Sequence, residues 1–176
     1  ILVCLVGSEM CIRDRISIGV IETIRNFGKS YRDAKLVHRL DKDTSGCQVI
    51  AKNNKFLRNC NKLISERKVK KTYQAIVHGN WIHKDGIYEI NIEKNMLIGK
   101  ERMVRISDGG KIAKTFFKVI ESSKHFSLIQ CELITGRTHQ LRVHLSELGF
   151  PIVGDKKYGT KENKFPTISG LSLIHI

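Results

Sequence analysis

Five strand-like stretches follow one another through the middle of this 176-residue chain, and no helical pattern separates them. They cover residues 70–79, 86–92, 102–106, 114–122 and 126–134. Strands that follow one another directly pair in antiparallel fashion, because parallel neighbours need a long crossover connection. The sequence therefore predicts an α+β fold with a largely antiparallel, mixed sheet and packed helices, and not a doubly wound nucleotide-binding fold.

Helical patterns flank this run of strands. Apolar residues near helical spacing predict a short helix over 18–27. A second helix over 55–66 has Phe56, Leu57, Cys60, Leu63 and Ile64 on one face, after an apolar strand at 47–52. A third is predicted over 138–149, with Thr138 as the N-cap and Gly149 at the stop.

The two ends of the chain differ from the rest. We interpret residues 1–15 and 171–176 as non-native sequence of the kind that translated sequencing adapters produce, and we expect neither to belong to the fold. No repeat or linker divides residues 16–170, which predicts one domain there.

The chain is strongly basic. It has 31 Lys and Arg against 17 Asp and Glu, a formal net charge of +14, and the whole excess falls within residues 16–170. Such an excess favours a polyanionic partner, nucleic acid first and an anionic membrane surface second; the alternative is a basic but solvated surface. No apolar run has the length of a membrane span. The cysteines lack zinc-type spacing, and Cys47, Cys60 and Cys131 fit buried free thiols in a reducing cytosol.

The stretch "LVHRLDKDTSG" (36–46) is the first candidate for chemistry. It concentrates charge, including Arg39 and Asp41, in a loop that leads into a strand. Asp, Ser and Gly also favour turns through local hydrogen bonds, so a solvated turn is the alternative.

The stretch "TGRTHQLRVH" (135–144) is the second candidate. Arg142 follows the core-facing Leu141, so we expect its guanidinium to be partly buried and to need a carboxylate or phosphate partner. The alternative is a solvated basic helix face that includes Arg137. His139 and His144 are five residues apart, which does not fit the i, i+4 pair of a helical zinc site. We predict no metal here.

The stretch "ERKVKKTY" (66–73) is the third candidate. Lys68, Lys70 and Lys71 lead to Tyr73, and basic residues before an aromatic can follow a phosphate backbone and stack a base. The alternative is a solvated helix end with Tyr73 as a core residue.

Taken in order, these motifs form one pattern. "HRLDKDTSG", "KKTYQAIVHG", "GKIAKTFFKV" and "ITGRTHQLRVHLSELGFPIVGDKKYG" resemble the RluA family of RNA pseudouridine synthases, over about residues 18 to 158. The segment "ERMVRISDGGKIAKTFFKV" is most similar to the C-type members, which modify large-subunit ribosomal RNA. The resemblance implies the family's catalytic-domain fold, isomerisation of uridine to pseudouridine in RNA without cofactor or metal, and a cytoplasmic monomer that binds 23S ribosomal RNA.

The resemblance also implies residue roles. Asp41 matches the catalytic aspartate, Tyr73 the tyrosine that stacks on the target uracil, and Arg142 the basic residue that pairs with the aspartate. Arg39 matches the arginine that fills the space left by the flipped base. The basic residues expected to hold the RNA backbone are Lys68, Lys70, Lys71 and Arg137.

Breaking the glycosidic bond develops positive charge on the sugar, so Asp41 must be ionised. It either attacks C1′ covalently or removes a sugar proton and forms a glycal; both routes stay open. Arg142 would favour the charged carboxylate by Coulomb attraction.

The resemblance is incomplete at both ends. The family's N-K-P-x-G strand pair and S4 domain have no counterpart upstream, and its C-terminal helix and L-H-A strand have none downstream. We therefore expect an incomplete catalytic domain whose sheet has unpaired edges. The alternatives are an inactive fragment or a non-catalytic RNA-binding module and, more remotely, a glycosidase-like hydrolase that uses Asp41 with a second acid.

Overall fold

The computed structural model describes residues 2–6, 20–41, 44–98, 101–159 and 171–175. The described chain divides into two compact units. The first contains the described residues up to Val69 together with His175, and the second contains those from Lys70 to Ile174.

The first unit is a small sheet with two helices. Its elements in chain order are β1 (Leu2–Val6), α1 (Val20–Arg25), β2 (Lys35–Leu36), β3 (Ser45–Ala51) and α2 (Asn54–Ser65). Both β1 and β2 pair with β3 in antiparallel fashion. Ile21 and Ile24 of α1 are buried against Ala34 and Ile50, which fixes α1 on the sheet. The predicted first helix and first strand are therefore confirmed, with slightly different ends.

Helix α2 begins directly after its N-cap residue, Asn53. The Oδ1 atom of Asn53 accepts a hydrogen bond from Phe56 N at 2.8 Å, which satisfies one of the unpaired donors of the first turn. The predicted apolar face is only partly correct. Phe56 and Leu63 are exposed, because the contacts of α2 with its unit cover only part of the helix surface.

The second unit contains the long antiparallel sheet that the sequence predicts. Its strands are β4 (Thr72–His78), β5 (Gly86–Ile98), β6 (Glu101–Ile106), β7 (Lys111–Ser122), β8 (Phe126–Leu133) and β9 (Leu173–His175), whose last residue belongs to the first unit. Their spatial order is β9, β4, β8, β7, β5, β6. The ladders β4–β8, β8–β7, β7–β5 and β5–β6 are all antiparallel.

Helix α3 (Gln140–Glu147) covers the core of the second unit. Leu141 and Leu145 of α3 contact the buried faces of β4, β7 and β8. The residues that they join are Ala75, Val77, Trp81, Phe117, Ile129, Cys131, Phe150, Ile152, Leu171 and Leu173. The strand face that carries Ala75 and Val77 is thus fixed by the burial of apolar surface.

The ends of the chain take part in these sheets, contrary to expectation. Leu2–Val6 pair with β3, and Leu171 and Leu173 are buried in the core. Ile76 N donates to Ser172 O at 3.1 Å. Apolar residues favour strands, so both segments can extend a ladder whatever their origin. Their assignment as non-native sequence stays a prediction.

The longest helix that the structure describes is α2, with 12 residues. Among the described residues, no helix is both long and apolar enough to cross a bilayer.

Candidate functional site

The loop before β3 is fixed by the backbone and ring of His38. His38 Nε2 accepts a hydrogen bond from Val49 N at 3.0 Å, and the buried Gln48 donates to His38 O at 2.7 Å. Val37 N donates to Val49 O at 3.1 Å. His38 is therefore a structural residue that holds the start of the loop against β3.

The next three residues of the loop differ in exposure. The side chain of Leu40 is buried, with 1% exposure, while Arg39 is exposed and Asp41 is half-buried. Thr44 N donates to Asp41 O at 3.0 Å and closes a tight turn. Leu40 thus anchors the loop, which leaves Arg39 accessible to a large ligand and holds Asp41 in a partly desolvated position. Lys42 and Asp43 lie outside the described residues.

Gly46 is required by its surroundings in the first unit. Its φ is +124°, and a Cβ there would overlap the backbone of His175. His175 Nδ1 lies 2.8 Å from Cys47 O, and its ring contacts that of His38 edge-on with 5.2 Å between centroids. The glycine of "TSG" therefore allows a close backbone approach.

Tyr73 lies near the start of β4 in the second unit. It shares a strand face with Ala75 and Val77, which are both buried, and it pairs across the ladder with Cys131. Tyr73 itself is half-buried and packs against the edge of the core. The predicted alternation along β4 is confirmed.

The turn before α3 is held by the side chain of Gln140, which sequence analysis did not single out. Gln140 Oε1 accepts from Arg137 N at 2.9 Å and from Thr135 Oγ1 at 3.0 Å. Gln140 Nε2 donates to Lys114 O and Thr115 Oγ1, both at 3.0 Å. One buried amide thereby ties the turn that carries Arg137 to β7.

The predicted N-cap of α3 is wrong. The helix begins at Gln140, and His139 is the N-cap, with a left-handed φ of 53° and no capping side-chain bond. Thr138 lies outside the helix because the Gln140 amide, bound to residues 135 and 137, defines the preceding turn. The predicted stop is confirmed, since Gly149 has a φ of +83° directly after the helix.

Arg142 has a carboxylate partner that the sequence analysis missed. Arg142 Nε donates to Asp155 Oδ2 at 2.8 Å, and Nη2 donates to Asp155 Oδ1 at 2.7 Å. The two side chains are only 11% and 1% exposed. The predicted partly buried guanidinium is therefore confirmed, and its pairing with Asp41 stays a prediction.

Asp155 is held as an anion. Burial raises the pKa of this carboxyl, but the hydrogen bonds and charge of Arg142, with backbone N–H groups of Tyr158 and Lys157, outweigh burial and lower it. The guanidinium also stacks on the ring of Tyr158, with 5.0 Å from Cζ to the centroid. The sequence signal for Asp155 is its place in "GDKKYG", within the last motif of the family resemblance.

The histidines of α3 are structural. His139 Nδ1 lies 2.7 Å from the hydroxyl of Tyr158, and His144 Nδ1 lies 3.1 Å from Thr115 Oγ1. His144 is fully buried, and burial lowers its pKa to about 4. Among the described residues, no group of three His, Cys, Asp or Glu side chains is placed to hold a metal ion.

The predicted RNA-binding cations occupy different environments. Lys68 and Lys70 are exposed and form ion pairs with Glu66 and Glu132. Lys71 is half-buried, and burial lowers the pKa of its ammonium. Arg137 is exposed, with Nε donating to Ile112 O at 3.3 Å.

Comparison with known proteins agrees with the motifs. The model of the RNA pseudouridylate synthase family matches residues 21–147, which contain Asp41, Tyr73 and Arg142. The chain belongs to this family.

Its relatives among curated proteins are named ribosomal large subunit pseudouridine synthase C. The chain is 42% identical to the Escherichia coli K12 protein over 147 residues, and 41% identical to the Pasteurella multocida protein over 146 residues. These alignments cover 84% and 83% of this chain but only 46% and 45% of the relatives. The chain thus spans less than half the length of the curated relatives it matches.

Two solved human structures are similar. Human RNA pseudouridylate synthase domain containing 1 matches 99% of this chain and 73% of its own, with a TM-score of 0.79 and 26% identity. Human RNA pseudouridylate synthase domain containing 4 matches 80% of this chain and 64% of its own, with a TM-score of 0.65 and 30% identity. The predicted fold class is confirmed.

Proposed function

We propose that this chain isomerises uridine to pseudouridine in large-subunit ribosomal RNA, as a cytoplasmic monomer. The observation that carries the proposal is the loop around Leu40. In a motif of this enzyme family, a buried leucine separates an exposed arginine from a half-buried aspartate. That arrangement supports one side chain that meets RNA and another that acts on a ribose.

Asp41 is the proposed catalytic residue. Cleavage of the N1–C1′ bond places positive charge on the sugar, which an adjacent carboxylate stabilises. Whether Asp41 attacks C1′ or removes a sugar proton is open. The uracil then turns and rejoins the sugar through C5. The C5 proton leaves to solvent and N1 gains a proton, so that the product is an isomer of the substrate and no oxidant or reductant is consumed.

Tyr73 is proposed to stack on the extracted base, and Arg39 is proposed to fill the space that the base leaves. A uridine must leave its stack before reaction, at a cost of a few kcal/mol. Stacking on Tyr73 would return about 1–3 kcal/mol. The exposed side chain of Arg39 would occupy the gap in the RNA.

Arg142 is proposed to favour the ionised form of the catalytic aspartate. Support comes from its rigid environment, because Asp155 fixes two of its nitrogens and the ring of Tyr158 supports its plane. A preorganised guanidinium loses little conformational freedom when it meets another anion.

The net charge of +14 supports RNA as the partner. Contacts to phosphates give affinity that falls with salt and carries little sequence information. We propose Arg39, Lys68, Lys70, Lys71 and Arg137 for these contacts.

The test is release of tritium from RNA that carries [5-³H]uridine. The 176-residue chain is expected to release tritium, and Asp41→Asn is expected to bind the RNA but release none. Asp33→Asn is the matched control, since Asp33 is an exposed aspartate of the same unit. Release by Asp41→Asn at the parent rate would refute the catalytic role. RNA binding without release by the parent would identify a binding module, and free uracil would identify a hydrolase.

A further inference from the structure

The three lysines before Tyr73 are not equivalent. Lys68 Nζ lies 2.7 Å from Glu66 Oε2, and Lys70 Nζ lies 2.8 Å from Glu132 Oε2. These two lysine side chains are 65% and 64% exposed. Lys71 is half-buried, and among the described residues no carboxylate lies within 4.0 Å of its Nζ. The most desolvated cation of the three is thus the one without a carboxylate in this part of the chain.

The position of Lys71 is fixed by the sheet. Lys71 O accepts a hydrogen bond from Leu133 N at 3.0 Å, so the ladder of β4 and β8 extends to this residue. Side chains alternate along a strand, which places Lys71 on the face of Tyr73 and Lys70 on the opposite face. The ion pair of Lys70 with Glu132 agrees with this, because Glu132 is the ladder partner of Thr72.

The ammonium of Lys71 lies beside an exposed turn. A Cβ built on Gly136 would be 3.0 Å from Lys71 Nζ, and Gly136 and Arg137 are both exposed. A side chain at position 136 would crowd the ammonium, so that glycine allows Lys71 Nζ to lie close to this turn. The turn itself is rigid, since Arg137 N donates to the buried amide of Gln140.

We propose that Lys71 binds a backbone phosphate of the nucleotide whose base stacks on Tyr73. The inference rests on the proposed function. Residues two apart in a strand are separated by about 6.6 Å, a distance that one nucleotide can span between phosphate and base. Burial lowers the pKa of Lys71 because the charge is poorly solvated, and a phosphate would supply the missing anion.

The primary test compares Lys71→Met with Lys70→Met. Methionine keeps an unbranched apolar stem and removes the charge in both variants. Affinity for a uridine dodecamer is measured at several salt concentrations. For Lys71→Met the slope of log K against log salt should fall by about 0.7, and affinity near 0.1 M salt should fall roughly fivefold, as expected for one lost phosphate contact on a single strand. Lys70→Met should show the smaller change in both quantities, because the ion pair with Glu132 already compensates the charge of Lys70 and makes its phosphate contact the weaker one.

A second measurement uses the unmutated chain and so does not depend on a variant that folds. An amine-acylating reagent labels the lysines with and without the dodecamer, and peptide mass spectrometry reports protection at each position. Lys71 is expected to be protected more strongly than Lys68 or Lys70. Equal protection, or equal salt slopes for the two methionine variants, would overturn the inference while RNA binding by the parent stands. A parent that does not bind RNA would overturn the proposed function as well.

Discussion

Replacing Asp155 by Asn should strongly destabilise the second unit. The Asp155 carboxylate accepts hydrogen bonds from Arg142 Nε and Nη2 and from the backbone N–H groups of Lys157 and Tyr158. An amide offers one oxygen in place of two and turns an NH₂ group toward these donors. It also removes the carboxylate charge of Asp155 from beside the guanidinium of Arg142, which is 11% exposed. Breaking a buried pair in this way costs about 3–5 kcal/mol.

The assay is urea unfolding at pH 7 of the parent, Asp155→Asn, Arg142→Met and the double variant. The double variant should lose less stability than the sum of the two single losses, because it leaves neither charge buried alone. Asp33→Asn, at an exposed position, is the control and should change stability by less than about 0.5 kcal/mol. A loss below about 1 kcal/mol for Asp155→Asn, or strictly additive losses, would refute the reasoning.

The ion pair of Asp155 with Arg142 also makes the free energy of unfolding fall as the pH is lowered. The pKa of Asp155 is lower in the folded state than in the unfolded state. Its stabilising contribution is therefore present above the unfolded pKa of about 3.9 and is lost as pH falls through the folded value. The difference in stability between the parent and Asp155→Asn should accordingly shrink in acid.

Three further predictions concern residues that stabilise one or the other unit from within. Burial lowers the pKa of His144 to about 4, so the neutral ring should stabilise the parent above about pH 6.5, and up to about 3 kcal/mol of this should be lost by pH 4. His144→Phe should flatten that part of the curve of unfolding free energy against pH, measured with urea. An unchanged curve would contradict this prediction. Gln140→Leu should cost about 1–3 kcal/mol, because it leaves Arg137 N without its acceptor and removes the side-chain donor to Lys114 O; a thermal midpoint equal to that of the parent would count against this role. Gly46→Ala should destabilise the chain by at least about 1–3 kcal/mol, since a Cβ at a φ of +124° meets the backbone of His175. The control Gly86→Ala has open space around the position and should not destabilise. Equal unfolding midpoints for the two variants would contradict the prediction.

Much of the fold was predictable because the spacing of apolar residues along the chain indicates which face of a strand or helix is buried. The alternation in β4 and the apolar spacing in α3 each reflect one face against the core, and both predictions are confirmed. The exposure of Phe56 and Leu63 was not predictable, since an apolar helix face does not say how much of it a neighbour covers. The wrong N-cap at Thr138 has a similar cause, because the Gln140 amide bonds to residues of β7 that are distant in sequence.

The site was predictable where a motif specifies local geometry. The motif indicated a charged loop that leads into a strand, and the structure gives that loop a buried anchor, Leu40, between the exposed Arg39 and the half-buried Asp41. The partner of Arg142 was missed because Asp155 is 13 residues away, on a turn that packs back against α3. Nor does the spacing of "ERKVKK" distinguish Lys71 from Lys70, a difference that arises when β4 pairs with β8.

Identification of the nucleoside product tests the central claim most directly. The chain is incubated with an unmodified transcript of large-subunit ribosomal RNA, and the nucleosides are separated after complete digestion. The account predicts that uridine is lost and pseudouridine gained in equal amounts by the parent and by Asp33→Asn, with neither change for Asp41→Asn. Pseudouridine formation by Asp41→Asn at the parent rate, or none by the parent, would contradict it.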